Sequence, residues 1–162
     1  MDRTEGFGVY LDRTLKKIQS VYLMTFEANA IDLTIEQWVI LQRIHVLGKD
    51  ASQSEVVKIN YRNRATTSRV IRGLCNKGLV RKERFSGDKK RFKLVLTHEG
   101  NAVIEKANPI IQHLRATAGE GIDASDFETF LEVLNSIWNN YDAYEKQQLG
   151  RESISETKSN IE

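Results

Sequence analysis

Residues 60–97 read "NYRNRATTSRVIRGLCNKGLVRKERFSGDKKRFKLVLT" and combine dense positive charge with a regular apolar pattern. Between residues 60 and 93 there are twelve Lys or Arg and two acids, a local charge of +10. The remaining 12 basic and 20 acidic residues of the chain leave −8 outside this stretch. Such segregation is typical of a surface that binds a polyanion, although a charge run alone is equally compatible with a solvated face.

The pattern within this stretch predicts a helix followed by a β-hairpin. Asn63 is a suitable N-cap for a helix that continues to about Lys77, and Gly78 is suited to end it. "LVRKERF" and "RFKLVLT" predict two strands, and "SGDKK" between them predicts the turn. The apolar positions predicted to face inward on the helix are Val70, Ile71, Leu74 and Cys75.

Two further helices are predicted just before this stretch. The segments "TIEQ" and "SQSE", which begin at Thr34 and Ser52, both have the capping-box spacing that satisfies two orphan amides at a helix start. Long amphipathic patterns flank the region on both sides, and Pro109 is expected to kink or divide the later one. The order of helices followed by a hairpin is that of a winged helix-turn-helix.

The sequence therefore predicts a mainly α fold with a small β-hairpin wing, in which N- and C-terminal dimerisation helices flank a winged helix-turn-helix. The apolar faces of the outer helices need a cover, and a partner subunit would supply it. The predicted organisation is one domain over residues 1–145, with the winged region at about 33–97, dimerisation helices at about 7–30 and 98–145, and a polar, flexible tail at 146–162.

The dimensions of the predicted helix and hairpin suit duplex DNA. An α-helix about 10–12 Å wide fits the major groove, which is about 12 Å wide, and a charged hairpin can reach the neighbouring minor groove. Short or guanidinium-bearing side chains near the helix start suit base edges, thymine methyls and phosphates. The predicted recognition-helix contacts are Arg64, Ala65, Thr66, Thr67, Ser68, Arg69 and Arg72. The predicted wing and flank contacts are Arg62, Lys89, Lys90 and Arg91.

Four blocks of the sequence resemble successive segments of the MarR family, the multiple-antibiotic-resistance-type bacterial regulators: "LTIEQWVIL", "SQSEVV", "ATTSRVIRGLCNKGLVRKE" and "GDKKRFKLVLTHEG". Ser68 and Arg69 match the family's "TR" pair, and "GDKKR" matches the "DRR" of its wing, with Lys89 and Lys90 where arginine is usual. The resemblance implies a transcriptional repressor that binds a pseudo-palindromic operator as a homodimer with interleaved outer helices. It also implies that a small-molecule or oxidant signal often weakens DNA binding.

Several residues are candidates for regulation, each with a plainer alternative. Four aromatic residues could line a pocket for a small apolar or aromatic effector, although aromatic residues at helical spacing equally form plain core; they are Tyr10, Tyr22, Phe26 and Trp38. Cys75, the single cysteine, occupies an apolar position and is interpreted as core rather than as a redox switch. The three histidines lack metal-ligand spacing, so no metal or cofactor is predicted.

Other function classes find little support in the sequence. There is no nucleophile elbow, phosphate-binding glycine loop or pair of metal ligands, so no enzyme is predicted. Without an apolar run of 18 residues or a signal-peptide layout, the predicted location is the cytoplasm and no membrane is involved. RNA binding is disfavoured because only Phe85 and Phe92 could stack on bases. The alternative that stays open is a winged-helix module for protein contacts without sequence-specific DNA binding.

Gly73, inside the predicted recognition helix, has no explanation in the sequence. Glycine costs about 1 kcal/mol in a helix interior relative to alanine.

Overall fold

The computed structural model describes residues 6–60, 64–85 and 88–159, with the side chains of 85–91 and 149–159 left out of the description. Within this part of the chain, α-helices and one antiparallel strand pair follow the predicted order. The helices are α1 (Phe7–Ala28), α2 (Ile35–Leu47), α3 (Gln53–Ile59), α4 (Arg64–Asn76), α5 (His98–Gly119) and α6 (Ala124–Ser159). The strands are β1 (Val80–Phe85) and β2 (Asp88–Leu96). The predicted fold class, mainly α with a small hairpin wing, is confirmed.

The chain divides into two compact units, Met1–Arg115 and Ala116–Glu162. The first contains α1 to α4, the hairpin and most of α5, and the second contains α6. The sequence predicts one domain over residues 1–145. The structure divides that range because a long helix such as α6 makes most of its contacts between its own turns. The assignment of separate roles to a winged region and dimerisation helices stays a prediction.

Side-chain caps start α2 and α3, the two α-helices immediately before α4. The Thr34 hydroxyl accepts a hydrogen bond from the Gln37 amide at 3.2 Å, and the Gln37 side chain accepts one from the Thr34 amide at 3.1 Å. The Ser52 hydroxyl likewise accepts from the amide of Glu55 at 3.1 Å. These caps satisfy amides that a helix start leaves without an intrahelical partner, so both predicted helix starts are confirmed. The reciprocal bond of a capping box is made by Gln37 at Thr34, whereas the Glu55 carboxylate accepts from Nζ of Lys58 at 2.8 Å.

A single apolar cluster holds the first unit together. Its buried members include residues from α1 to α5 and from both strands, among them Phe26, Leu41, Val56, Leu74, Val80, Leu94 and Ile104. Full burial of such side chains stabilises the fold by roughly 1.5–3 kcal/mol each. Because α3, α4 and β2 all contribute to this cluster, it fixes the helices and the hairpin against α2.

The start of α5 is locked to the base of the hairpin. The Thr97 hydroxyl donates to the carbonyl of Gly78 at 2.7 Å and accepts from the amide of Gly100 at 3.0 Å, while the Thr97 amide donates to the carbonyl of Leu79 at 3.1 Å. A side-chain carbon at Gly100 would collide with that Leu79 carbonyl oxygen. Only glycine therefore permits this close approach of α5 to the end of the α4–β1 connection.

The outer helices differ from the sequence expectations in two respects. Pro109 does not divide α5, which runs without interruption from His98 to Gly119, and the alternative, a kink at Pro109, stays a prediction. Pro109 is exposed, so water can solvate the carbonyl that loses its helical partner there. The segment from residue 146 is helical as far as Ser159, where a polar tail without regular structure is predicted. Its Gln, Glu, Arg and Lys residues are good helix formers, and they continue the helix although the apolar periodicity has ended.

Candidate nucleic-acid interface

The helix α4 has two opposite faces with different compositions. Thr67, Ile71 and Leu74 are its buried residues and lie on one side at four- and three-residue steps. Ala65, Arg69 and Arg72 repeat at the same steps on the opposite side, where all three are exposed. No acid occurs in α4. The helix thus presents a basic surface to the outside while its other face anchors it in the core.

Most of the predicted recognition-helix residues lie where DNA could reach them. Arg64, Ala65, Arg69 and Arg72 are exposed, and Thr66 and Ser68 are half-buried at the flanks of the helix. Among the described residues, ion pairs occupy Lys77 and Arg81, which bind Asp32 at 2.8 Å and Glu83 at 2.6 Å, whereas none engages the three arginines of α4.

Thr67 is a correction to the predicted site. Its side chain is 0% exposed, and its hydroxyl oxygen accepts a hydrogen bond from Nδ2 of Asn60 at 3.0 Å. Thr67 lies four residues before Ile71, so it shares the inward face of the helix. A side chain enclosed in this way cannot touch a base or a phosphate, and Thr67 belongs to the support of the site.

Ser68 uses its hydroxyl within the protein. It donates to the carbonyl of Arg64 at 2.7 Å and accepts from Nε2 of Gln53 at 2.8 Å. The partner Gln53 is the first residue of α3, so Ser68 joins the two helices of the helix-turn-helix. Contact between Ser68 and DNA stays a prediction. For such a contact, the Ser68 hydroxyl would have to give up one of these two hydrogen bonds or bind DNA in addition to them.

The wing is an irregular two-stranded hairpin whose second strand begins earlier than predicted. Strand pairing runs from Val80–Leu96 to Arg84–Phe92, and the register shifts between Arg84 and Phe85. The backbone of β2 already starts at Asp88, so residues 88–90 lie in a strand and not in the predicted turn "SGDKK". Of that turn, Ser86 and Gly87 fall outside the described residues. The strand extends closer to the tip of the hairpin than predicted, because the charged residues 88–90 can adopt the extended backbone of an edge strand.

The remaining wing and flank predictions are placed only in part. Lys89, Lys90 and Arg91 lie in β2, but their side chains are outside the described part of the structure. Arg62 falls within residues 61–63, which are also outside it. DNA contacts by these four residues stay a prediction.

The hairpin is joined directly to the helix-turn-helix. The amide of Leu94 in β2 donates to the carbonyl of Ala51 at 2.7 Å, and Ser52 forms an isolated antiparallel bridge with Lys93. Ser52 is also the N-cap of α3. The wing and the helix pair are therefore held in one frame, which a groove-binding surface requires.

Three polar residues that support α4 were not predicted. Nη1 of Arg43 in α2 donates to Oδ1 of Asn60 at 2.9 Å, and Asn60 in turn donates to Thr67. Gln53 completes the set through Ser68. The sequence does show that these polar residues stand next to positions where the apolar periodicity indicates burial. Spacing along the chain does not show which residue of another helix each of them binds.

The four aromatic residues predicted to line an effector pocket form mainly core contacts. The rings of Tyr22 and Phe26 lie 6.3 Å apart, and those of Phe26 and Trp38 lie 6.0 Å apart with an edge-on geometry. Phe26 and Trp38 are buried. Tyr10 instead lies beneath the guanidinium of Arg13, 5.4 Å from its ring centre.

Two open cavities lie in the first unit. A cavity of about 500 Å³ is bounded by the α1–α2 connection, the end of α4 and α5, and its lining includes Ile31, Leu79, Val103, Lys77 and Lys106. A second cavity, of about 480 Å³, borders Phe26 and the same α1–α2 connection. The predicted pocket residues Tyr10, Tyr22 and Trp38 line neither of these two cavities, because their rings pack on α1 and in the core.

Cys75 shows the features of a packed residue. Its side chain is half-buried against the core cluster. Burial raises the pKa of the Cys75 thiol, although the charge of Lys82 acts in the opposite direction. A raised pKa leaves less of the reactive thiolate at neutral pH.

The described residues contain neither a cluster of metal-ligating side chains nor a helix that could cross a membrane. No group of three or more His, Cys, Asp or Glu side chains in this part of the chain could hold a metal ion. No helix in the same residues combines the length and the apolar content needed to cross a bilayer.

Comparison with known proteins identifies the family of the central region. Residues 33–92 match the model of the MarR family. The fold is similar to that of MepR from S. aureus, solved as a DNA complex, with a TM-score of 0.75, 22% identity, and coverage of 84% of this chain and 99% of that one. BpsR of Bordetella bronchiseptica, described as regulated in its DNA binding by 6-hydroxynicotinic acid, gives a TM-score of 0.70, 21% identity, and coverage of 86% and 98%.

A third solved structure agrees with these two. It is a mutant MarR from E. coli complexed with operator DNA, with a TM-score of 0.71, 20% identity, and coverage of 80% of this chain and 91% of that one. At these identities the structural likeness demonstrates a shared fold, and the family follows from the matched model. Residues 33–92 form a MarR-family domain, and the chain has the fold of that family.

Proposed function

We propose that this protein is a transcriptional regulator that binds double-stranded DNA at specific sequences, and that it acts as a repressor. The observation that carries the proposal is the outer face of α4, on which Ala65, Arg69 and Arg72 lie opposite the core. Arginine in a major groove can bind guanine O6 and N7 with both arms of its guanidinium, and a small residue such as alanine can contact a thymine methyl.

In this proposal the contacts divide by groove. Arg69 reads a base edge, and Arg64, Thr66 and Arg72 bind bases or phosphates beside it in the major groove. Lys89, Lys90 and Arg91 on the wing and Arg62 before α4 bind the neighbouring groove or backbone. Lys and Arg contacts to phosphates supply affinity that depends on salt, whereas base contacts supply specificity. The fixed connection between Leu94 and Ala51 supports joint binding by wing and helix.

The proposed active form is a homodimer. Helix α1 exposes apolar side chains that a lone chain would leave in water: Phe7, Val9, Leu11, Leu15, Ile18 and Leu23. Helix α6 exposes a second set: Phe127, Phe130, Leu131, Trp138, Tyr141 and Tyr144. Exposed apolar surface of this extent marks an interaction site. In a two-fold dimer each recognition helix would meet one half of a pseudo-palindromic operator, with half-sites about 34 Å apart.

A small organic molecule is proposed to relieve repression. The cavity of about 500 Å³ combines apolar walls, including Ile31 and Leu79, with an ion pair in which Lys77 binds Asp32 at 2.8 Å. This chemistry suits a small apolar or aromatic molecule. Its lining includes the residue directly after α4, so an occupant would act on the end of the recognition helix. The regulation of BpsR by 6-hydroxynicotinic acid is a precedent in a protein of the same fold.

Selection of bound duplexes from a random DNA pool tests the proposal. We expect the wild-type protein to enrich one motif with two-fold symmetry and half-sites about one helical turn apart. If no duplex is enriched, the winged-helix module for protein contacts becomes the better interpretation. The site belongs to a regulator acting on DNA in the cytoplasm, and it has no catalytic role.

A further inference from the structure

Two neighbouring side chains of the recognition helix hold both ends of α3. Ser68 accepts from the side chain of Gln53, the first residue of α3, at 2.8 Å. Thr67 accepts from the side chain of Asn60, the residue directly after α3, at 3.0 Å. These two hydrogen bonds, Gln53–Ser68 and Asn60–Thr67, are called the α3–α4 clamp below. Because Thr67 and Ser68 are consecutive, their side chains lie about 100° apart around α4, so the two bonds hold the helix at two angular positions.

The second bond of the clamp is part of a chain with a fixed direction. Arginine can only donate, so the oxygen of the Asn60 amide must face Arg43, where Nη1 lies 2.9 Å away. The NH₂ group of Asn60 must then face Thr67, whose hydroxyl oxygen accepts. Asn60 is only 9% exposed and Thr67 is fully enclosed, so water cannot replace either partner easily. The chain thus connects α2 to the recognition helix through one amide.

The clamp supplies directionality that the apolar contacts lack. Ile71 and Leu74 pack without directional bonds, and such contacts change little when a helix turns slightly about its axis. A hydrogen bond requires a donor–acceptor distance of about 2.7–3.2 Å and a nearly straight angle. Since the radius of a helix with its side chains is about 5–6 Å, a rotation of about 10° moves an outer atom by about 1 Å. That displacement exceeds the distance range over which a bidentate arginine contact persists.

We propose that the α3–α4 clamp sets the rotation of α4 and thereby determines the sequence specificity of DNA binding. Gln53, Asn60, Thr67 and Arg43 are positioning residues in this view, and none of them needs to touch a base. Arg69 follows Ser68 directly, so it is the DNA-facing residue whose position depends most on the clamp. The inference rests on the proposed DNA-binding function and adds to it what holds the reading face in register.

The decisive variant is Thr67→Val, which keeps the shape of the side chain and removes the acceptor. The readout is the ratio of affinities for a duplex selected with wild-type protein and for a scrambled duplex of the same length and composition. We expect this ratio to fall about tenfold in Thr67→Val, since a hydrogen bond is lost and a buried donor is left unpaired. Affinity for the scrambled duplex and its salt dependence should not change, because the charge is unchanged.

Two control variants separate positioning from stability. Thr67→Ser retains the hydroxyl and should restore the wild-type ratio. Val56→Ala removes buried volume from α3 without touching the clamp, and it should lower the melting temperature while leaving the ratio unchanged. The inference is wrong if Thr67→Val keeps the full ratio, or if Val56→Ala loses it to the same degree.

An NMR measurement without DNA distinguishes this inference from the proposed function. In the full-length wild-type protein, we expect slow solvent exchange of the Asn60 side-chain NH₂ protons, and faster exchange in Thr67→Val. Rapid exchange in the wild type would overturn the clamp itself. A protected amide together with a wild-type protein that prefers no duplex would instead overturn the DNA-binding proposal, and the specificity role of the clamp with it.

Discussion

Helices α4 and α6 both carry apolar residues at helical spacing, but the surroundings of these residues differ. In α4 the apolar stripe is enclosed, since Ile71 and Leu74 are fully buried within the first unit. In α6 the aromatic stripe is open, and Trp138 and Tyr144 are 53% and 60% exposed. The pattern of both helices indicates a face that requires a partner. The apolar face of α4 is enclosed within the first unit, whereas aromatic side chains of α6 are exposed.

The difference assigns the two helices to different kinds of interaction. The apolar face of α4 is buried in the core, so the face exposed to solvent is the basic one with Arg69 and Arg72, which is suited to a polyanion. The apolar face of α6 is exposed, and a second copy of the chain can bury it. The same comparison predicts which substitutions have an effect that changes with protein concentration and which have an effect that does not.

The largest expected effect is on the enclosed face of α4. Leu74→Ala should lower the free energy of unfolding by about 2–5 kcal/mol, because it leaves a cavity in the core. The loss should be the same at every protein concentration, since the contact lies within one chain. Denaturant unfolding followed by circular dichroism measures it. Val46→Ala, at an exposed position of α2, is the control and should change the stability by at most about 0.5 kcal/mol.

The next largest effect is expected on the open face of α6. Phe130→Glu should weaken self-association by about 2 kcal/mol, which is roughly 30-fold, because it places a charge in the proposed dimer contact. Sedimentation equilibrium over a dilution series measures this change, and Glu132→Gln on the same helix serves as the control. A wild-type protein that stays monomeric at micromolar concentration would remove the basis for the dimer.

A smaller effect is expected from the wing. Lys90→Ala should weaken binding to selected and scrambled duplexes alike and should reduce the slope of log affinity against log salt by about one unit. Binding titrations at several salt concentrations measure the slope, and Lys17→Ala on α1 is the matched control. If Lys90→Ala changes specificity and leaves the salt slope intact, the wing reads bases instead of phosphates.

The smallest effect concerns Gly73, on the side of α4 that faces α2. A side-chain carbon at Gly73 would lie 3.2 Å from Nε2 of Gln37, whose side chain closes the capping box of α2. In Gly73→Ala, the gain of about 1 kcal/mol in helix propensity should be offset by displacement of Gln37, for a net change within about 0.5 kcal/mol.

A double substitution sharpens this last prediction. In a Gln37→Ala background the conflict is absent, so Gly73→Ala should stabilise the protein by the full amount of about 1 kcal/mol. Thermal unfolding of the four proteins in the cycle provides the coupling energy. Additive effects of the two substitutions would mean that Gly73 is not needed for the packing of Gln37.

The sequence predicts the order of elements, the caps at Thr34 and Ser52 and the basic face of α4, because these features depend on residues close together in the chain. The role of Thr67 is different. Its distance of four residues from Ile71 indicates the inner face, but its partner Asn60 lies on another element and no spacing rule predicts that pair. The sequence therefore predicts a DNA contact for a hydroxyl group that in the structure binds Asn60 inside the protein.

The last helix illustrates the opposite difficulty. Apolar periodicity ends near residue 146, and the sequence therefore predicts a tail, but helix propensity alone continues α6 to Ser159. For the effector site, aromatic side chains such as Trp38 indicate burial equally well in a core and in a pocket. Only the packing of Trp38 on Phe26 separates these two interpretations.

Repeating the duplex selection with Arg69→Ala tests whether the exposed face of α4 reads DNA bases. The variant should fold as the wild type does and self-associate to the same extent, because Arg69 is exposed and lies in the first unit. We expect its selected motif to lose sequence preference at one or two positions in each half-site, symmetrically, at a cost of about 1–3 kcal/mol for the wild-type duplex. An Arg69→Ala motif and affinity identical to those of the wild type would contradict the account.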